Sequence, residues 1–581
     1  MIGGIMTGIA GPGSFSSSPS PVTQATTRNR ASRQDNSTTT AQTDDDTATI
    51  SRKALALAST GNGQPGLKVG SGMINTSQIK GHFSIQAIDE LKTDSGHIIA
   101  FERYAASGTL TDGDDNPLST KGYVVRIDPG QANEQAYVLT QDAVLTESDD
   151  GMMTLTALTP ESQTGHNDLI IGVTGRSLTG SDGDDTIVAL NTLPGMDITS
   201  GDGNDTILLF GKRVRLGLID TGNGDDTVRA PGELDGTSVR TGDGADTVQA
   251  QTLKGADLDL GDGQDIVRVT TGIGNTITTG DGDDSIIAES IKQGVVDMGL
   301  GNDTVRVSTL ISGASLDTGD GDDHIVATSI QNGALDTGAG DDTLDADRIG
   351  ATAGGSANVA IETGDGNDTV KASWIGWALK GNATVSLDTG GNDDRIEAGT
   401  IGMATSGTAN VRITGGTGRD TVQAGWMGVG VQGLAQVSVD TGDDDDTVKA
   451  DVLAAAFGGE ASVGVETGDG SDDVSADVTG LSVAGTSQVN LSTGKDNDII
   501  QAGTSLASAT GTVERTLDGG HGTDVITTEA SQTDIGPDTA ATAMGALLQH
   551  MGKVRSLDPL LKKTYGIAVA DRLGQVLEAM A

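Results

Sequence analysis

One short acidic turn carries most of the chemistry this chain can do. Its clearest copy is DTGDGDDHIVA, from Asp317 to Ala327, and variants of it return along the sequence. The final aspartate of the turn falls at Asp185, Asp205, Asp226, Asp246, Asp265, Asp284, Asp303, Asp323 and Asp342, 19 to 21 residues apart. It then falls at Asp368, Asp394, Asp420, Asp446, Asp472, Asp498 and Asp524, each 26 residues after the last. A degenerate turn around Asp168 opens the series. Each aspartate offers hard anionic oxygen, and the flanking glycines permit positive φ, which lets backbone carbonyls turn inward beside it. Such a set suits Ca²⁺, which takes roughly six to eight oxygens in a forgiving geometry, better than Mg²⁺, which demands a smaller octahedron.

Fixed periods of this length are the mark of a solenoid, in which each repeat is one coil. Alternation places the strands: in the block from Gly355 to Lys380, Val359 and Ile361 alternate with polar residues before the turn, and Val370 and Ala372 do so after it. Residues Ile375 to Leu379 supply a third side in the wider coils, and recurrent glycines such as Gly355, Gly381 and Gly407 mark the corner into the next coil. Stacked strands about 4.8 Å apart set equivalent turns above one another, so the aspartates form a column. A second acidic column starts six positions earlier, at Asp220, Asp259, Asp297, Asp317, Asp336, Glu362, Asp388, Asp440, Glu466 and Asp518. Unpaired, stacked carboxylates repel strongly, and a divalent cation between turns resolves the repulsion.

These residues carry a family resemblance. GGTGRDTVQ (Gly415 to Gln423) and GGHGTDVIT (Gly519 to Thr527) match the repeats-in-toxin nonapeptide at every specified position. The chain therefore resembles that family, which implies a parallel β-roll or β-helix whose sixth-position aspartates and turn carbonyls bind several Ca²⁺. It also implies export by type I secretion machinery that reads an uncleaved C-terminal segment. The departures are informative. There is one turn per coil, so the array reads as a one-sided version, and the fourth-position glycine is replaced by Asn392, Asp444 and Asp496 in alternate wide coils. Asn and Asp tolerate positive φ better than other non-glycine residues, which predicts that the turn survives there.

The expected fold class is all-β: a parallel β-roll or β-helix solenoid with one calcium-binding turn per coil, a small antiparallel β domain before it and helices after it. The expected divisions are a Ser/Thr-rich disordered leader over 1–66, the antiparallel domain or cap over 67–165, narrow coils over 166–348, wide coils over 349–530, and a helical cap or secretion segment over 531–581. Within 67–165, Asp112, Asp114 and Asn116 occupy the first three ligand positions of an EF-hand loop, but Pro117 and Tyr123 break the pattern, so a hairpin loop is expected.

Composition narrows the function. The 581 residues include 82 acidic against 35 basic, a net charge of −47, which repels nucleic acid and anionic lipid and favours cations. Without cysteine, disulfides and zinc-thiolate sites are excluded. No apolar run reaches the roughly 18 residues of a membrane helix. The six histidines form no HExxH pair, and neither a GxSxG elbow nor a P-loop occurs, so the chain reads as a binding or structural protein rather than an enzyme. Outward Arg229, Arg268, Arg306, Lys371 and Lys449 read as screening for neighbouring carboxylates, and Trp374, Trp377 and Trp426 as packing. The expectation is a secreted bacterial calcium-binding protein, adhesin-like or surface-layer-like, with calcium, the secretion machinery and a cell-surface glycan or protein as partners. Its rivals are a secreted enzyme with its centre in 67–165 and an ice-binding solenoid; the charged third turn positions, such as Asp182, Asp202 and Asp320, speak against the latter.

Overall fold

A computed structural model describes residues 67–93, 96–147, 153–159, 168–508, 510–529 and 531–533. The expected leader and the expected C-terminal helices beyond Thr533 lie outside those residues, and Gln532–Thr533, at the start of the expected helical segment, is a strand. The chain divides into two compact units, Met1–Thr174 and Gly175–Ala581.

In the first unit, Met73–Asn75, Gln135–Leu139, Lys121–Ile127, Ile98–Ala106 and Phe83–Lys92 form an antiparallel sheet in that order. Alternation along these strands turns Ile85, Tyr104, Val124 and Val138 to one face, where they pack with Leu110. The Asp112 loop is a hairpin between Leu110–Thr111 and Pro117–Leu118. Its carboxylate accepts the N–H groups of Asp114 and Asn116 at 2.9 and 2.8 Å and the Asn116 amide at 2.9 Å, so it closes its own loop.

The second unit is a β-solenoid. Every coil contributes a strand before the turn and a strand after it, and each pairs parallel with its equivalent in the next coil. In the wide coils one buried column runs Val359, Val385, Val411, Val437, Val463, Val489, in unbroken register. A buried valine or isoleucine contributes about 1.5–3 kcal/mol, while ordering its coil costs about 1–2 kcal/mol for every residue fixed. A coil therefore cannot stand alone; its stability comes from the neighbours on which it stacks. The six extra residues of the wide coils add a side filled by Trp374, Trp377, Met403, Trp426, Val429 and Phe457, all buried, so the tryptophans are core rather than a surface patch.

The turns are tight enough to demand glycine. Gly321 has φ +149°, and a Cβ on it would lie 1.8 Å from the carbonyl oxygen of Gly301 in the preceding turn. Asn392, Asp444 and Asp496 hold the same position at φ of +78°, +90° and +75°. Gly321→Ala is therefore expected to destabilise the array by about 2–4 kcal/mol through strain and a backbone clash, whereas Asn392→Gly changes stability by no more than about 1 kcal/mol. Thermal unfolding of the two variants, followed by far-UV circular dichroism, checks the contrast; equal shifts would contradict it.

Candidate metal centre

All sixteen turn aspartates stand in one continuous column. The backbone N–H of each but the last donates to the Oδ1 of its equivalent in the next coil: Asp303 to Asp323 at 2.7 Å, Asp323 to Asp342 at 2.7 Å. The step from Asp342 to Asp368, where the coil widens, keeps the bond at 2.8 Å. The column opens with Asp185, Asp205, Asp226, Asp246, Asp265 and Asp284. It continues through Asp394, Asp420, Asp446 and Asp472 to Asp498, whose N–H reaches Asp524 at 3.2 Å. From Asp185 to Asp498 none is more than 3 % exposed. These carboxylates point into the turn, away from solvent, and one oxygen of each is already satisfied.

The other oxygen is not. Oδ2 is buried without a hydrogen-bond donor at Asp205, Asp226, Asp246, Asp265, Asp284, Asp303, Asp323, Asp342, Asp368, Asp394, Asp420, Asp446 and Asp498. Two turns show what the rest leave open: Asp185 takes the Ser181 N–H at 2.7 Å, and Asp472 takes the Thr467 hydroxyl at 2.5 Å. At six other turns the corresponding threonine donates along its own column, as Thr337 does to the Thr363 carbonyl at 3.1 Å and Thr363 to that of Thr389 at 3.2 Å, whereas Thr318, Thr441 and Thr493 make no such bond. A hydroxyl has one proton and cannot serve both acceptors.

Burial of an acid without a full set of donors favours its neutral form. Burial lifts Asp323 and Asp446 to about 7, and Asp265 and Asp394 to about 8, with neighbouring carboxylates adding to the rise. At Asp323 the nearby Thr318 hydroxyl and the Asp303 N–H hold the rise back.

The backbone supplies further oxygens. The carbonyl of Gly321 points at Gly340 of the next turn, where a Cβ would meet it at 2.1 Å, and among the described residues no N–H reaches it. Nowhere among the described residues do three His, Cys, Asp or Glu side chains converge. A cation in this column would therefore be held by one or two carboxylates and completed by carbonyls. That donor set, all hard oxygen and partly uncompensated, fits Ca²⁺.

A further column was hidden in the sequence. The residue just before each turn aspartate is exposed, and where it is Asp or Asn its side chain accepts the N–H of its equivalent one coil on: Asn302 from Asp322 at 2.7 Å, Asp322 from Asp341 at 2.9 Å, Asp341 from Asn367 at 2.8 Å. This column runs opposite to the buried one, so each turn is tied to both neighbours. Bonds from the Asn367 backbone and side chain hold Asp341 below its ordinary value. The recurrence of Asp or Asn at that position was the available signal. The acidic column six residues before the turn aspartates, in contrast, is largely exposed on the strand's outer face and lies outside the site.

The raised pKa values set a sign. An aspartate at about 7 when folded and near 3.9 when unfolded keeps its proton in the metal-free fold between those values. Metal-free stability is therefore present below about pH 4 and is lost as pH rises to about 7, by on the order of 4 kcal/mol for one fully ionised member. In chelator, melting temperature should fall from about pH 4 to about pH 8, and Asp323→Asn should soften that fall while leaving stability below about pH 4 little changed. A pH-independent melt in chelator would contradict the assignment. No protein-family model matches the chain, and a search of curated proteins finds no match, so the reading of this centre rests on its own geometry.

Proposed function

We propose that this is a calcium-dependent protein of repeats-in-toxin type, exported by a bacterium and serving outside the cell as a binding or structural surface protein rather than as an enzyme. The observation that carries the proposal is the column of buried carboxylates whose second oxygens lack a donor. Asp323 Oδ2 and the Gly321 carbonyl, with their equivalents along the array, would hold calcium, whose positive charge offsets the carboxylates. The chain's own residues do the positioning: each N–H in the column fixes one carboxylate oxygen and leaves the other free, and the turn glycines let the carbonyl approach.

Function follows from coupling between metal and fold. A cation at each of the sixteen aspartates would bring the formal net charge from −47 to about −15, whereas the metal-free array has only partial protonation to relieve its repulsion at neutral pH. Binding energy is then folding energy. Extracellular sites of this kind fill at about 10⁻⁴ to 10⁻³ M calcium, so the chain would stay expanded during export and fold on arrival outside.

Far-UV circular dichroism during a calcium titration tests the coupling. The β signal should grow with calcium at neutral pH, collapse in excess chelator and recover poorly with magnesium; an unchanged signal in chelator would sink the proposal. Binding to glycans and cell surfaces, with and without calcium, tests the surface role, which predicts binding only in the metal-loaded state.

A further inference from the structure

Two outward columns on the solenoid carry charge that no described residue neutralises. On the strands after the turn, Arg229, Gln249, Arg268, Ile287 and Arg306 stack in register. Arg268 and Arg306 are exposed and Arg229 is half-buried. Among the described residues none of the three guanidiniums has an ion-pair or hydrogen-bond partner, in a chain of net charge −47. The screening expected of them is not what they do, although Lys449 does reach Asp473 at 3.6 Å.

On the strands before the turn, Asp297, Asp317, Asp336, Glu362 and Asp388 stack in register, all exposed, between Thr278 and Thr414. None has a basic partner among the described residues. Their mutual repulsion is felt at Asp317, whose carboxyl is pushed up by partial burial and by Asp336 and Asp297.

The two columns cannot meet within one molecule. The strands flanking a turn direct Leu316 and Ile325 into the shared core, so their alternate side chains leave on opposite faces. Yet the columns are matched. Each is five coils long, and both advance by the same strand spacing of about 4.8 Å. Arginine at every second coil therefore recurs at about 9.6 Å, the interval that separates Asp297, Asp336 and Asp388. Gln249 and Ile287 then face Asp317 and Glu362, and the amide of Gln249 can donate to a carboxylate.

We propose that the arginine column docks on the acidic column of a second copy of this chain. Laid parallel, the two copies are offset by four coils. The contact is heterologous, since each copy uses a different face, and it leaves one arginine face and one acidic face free at the ends. It therefore repeats into an open lateral array rather than closing as a dimer. Exposed ion pairs are individually weak and screened by salt, so the array is cooperative and salt-sensitive.

Sedimentation velocity of the full chain in calcium tests this, with circular dichroism confirming the fold of each variant. Wild type should form concentration-dependent oligomers that dissolve at high salt. The triple variant Arg229→Glu, Arg268→Glu, Arg306→Glu should not self-associate, nor should Asp297→Lys, Asp336→Lys, Asp388→Lys. Mixed together they should associate again, because each then presents the faces complementary to the other's. If either reversal fails to fold, Arg229→Gln, Arg268→Gln, Arg306→Gln replaces it and should weaken self-association about tenfold or more. Three results would overturn the proposal: a wild type that stays monomeric up to its solubility limit, association unaffected by the arginine changes, or folded charge-reversed partners that fail to associate on mixing. Arginine-dependent retention of a monomeric wild type on heparin would instead assign the stripe to an anionic polysaccharide.

Discussion

Stacking identical turns about 4.8 Å apart forces like charges into a line, and the rest of the solenoid depends on how that line is tolerated. Coulomb repulsion at this distance is small in water and large in a buried, low-dielectric turn. The chain meets the constraint in part by itself. Each buried aspartate takes a backbone N–H from the previous coil, and the exposed Asp/Asn column beside it binds in the opposite sense. What is left over, one carboxylate oxygen at each of thirteen turns, is what a proton or a calcium ion would answer. These alternatives would act in opposite pH ranges, the proton stabilising a metal-free array in acid and the proposed calcium stabilising the array at neutral pH.

The same constraint explains why the coil can change width without losing the column. Between Asp342 and Asp368 the period grows by six residues, yet the N–H to Oδ1 bond remains 2.8 Å. The added residues go to the side away from the turn, where Trp374, Trp377 and Phe457 build a thicker core. Width is set by the apolar sides and register by the turn. The two can vary independently because each coil touches only its neighbours.

Much of this was legible in the residues. The 19–21 and 26 periods located the coils, the alternation around Val359 and Val370 located the strands, and the replacement of glycine by Asn392, Asp444 and Asp496 correctly implied a retained positive φ. The orientation of the carboxylates was not legible. A period marks where an aspartate recurs, but whether it faces water or the turn interior depends on backbone dihedrals that no spacing encodes. The opposed Asp/Asn column was missed because its members alternate between two residue types and break at Ala245, Gln264, Arg419, Ser471 and Thr523. The unpaired state of Arg229, Arg268 and Arg306 was likewise invisible, since composition suggests carboxylates everywhere and no spacing shows which of them come within reach of a guanidinium.

The most direct measurement is hydrogen exchange by mass spectrometry across the coils at neutral pH, with calcium and with chelator. The N–H groups of the aspartate column are the reporters, because each is bonded only while two successive turns are stacked. Calcium should protect peptides spanning Asp205 to Asp498 as one cooperative block, and chelator should remove that protection throughout the block. Equal protection in both conditions would mean that the column holds itself together without metal, and the central claim would fail.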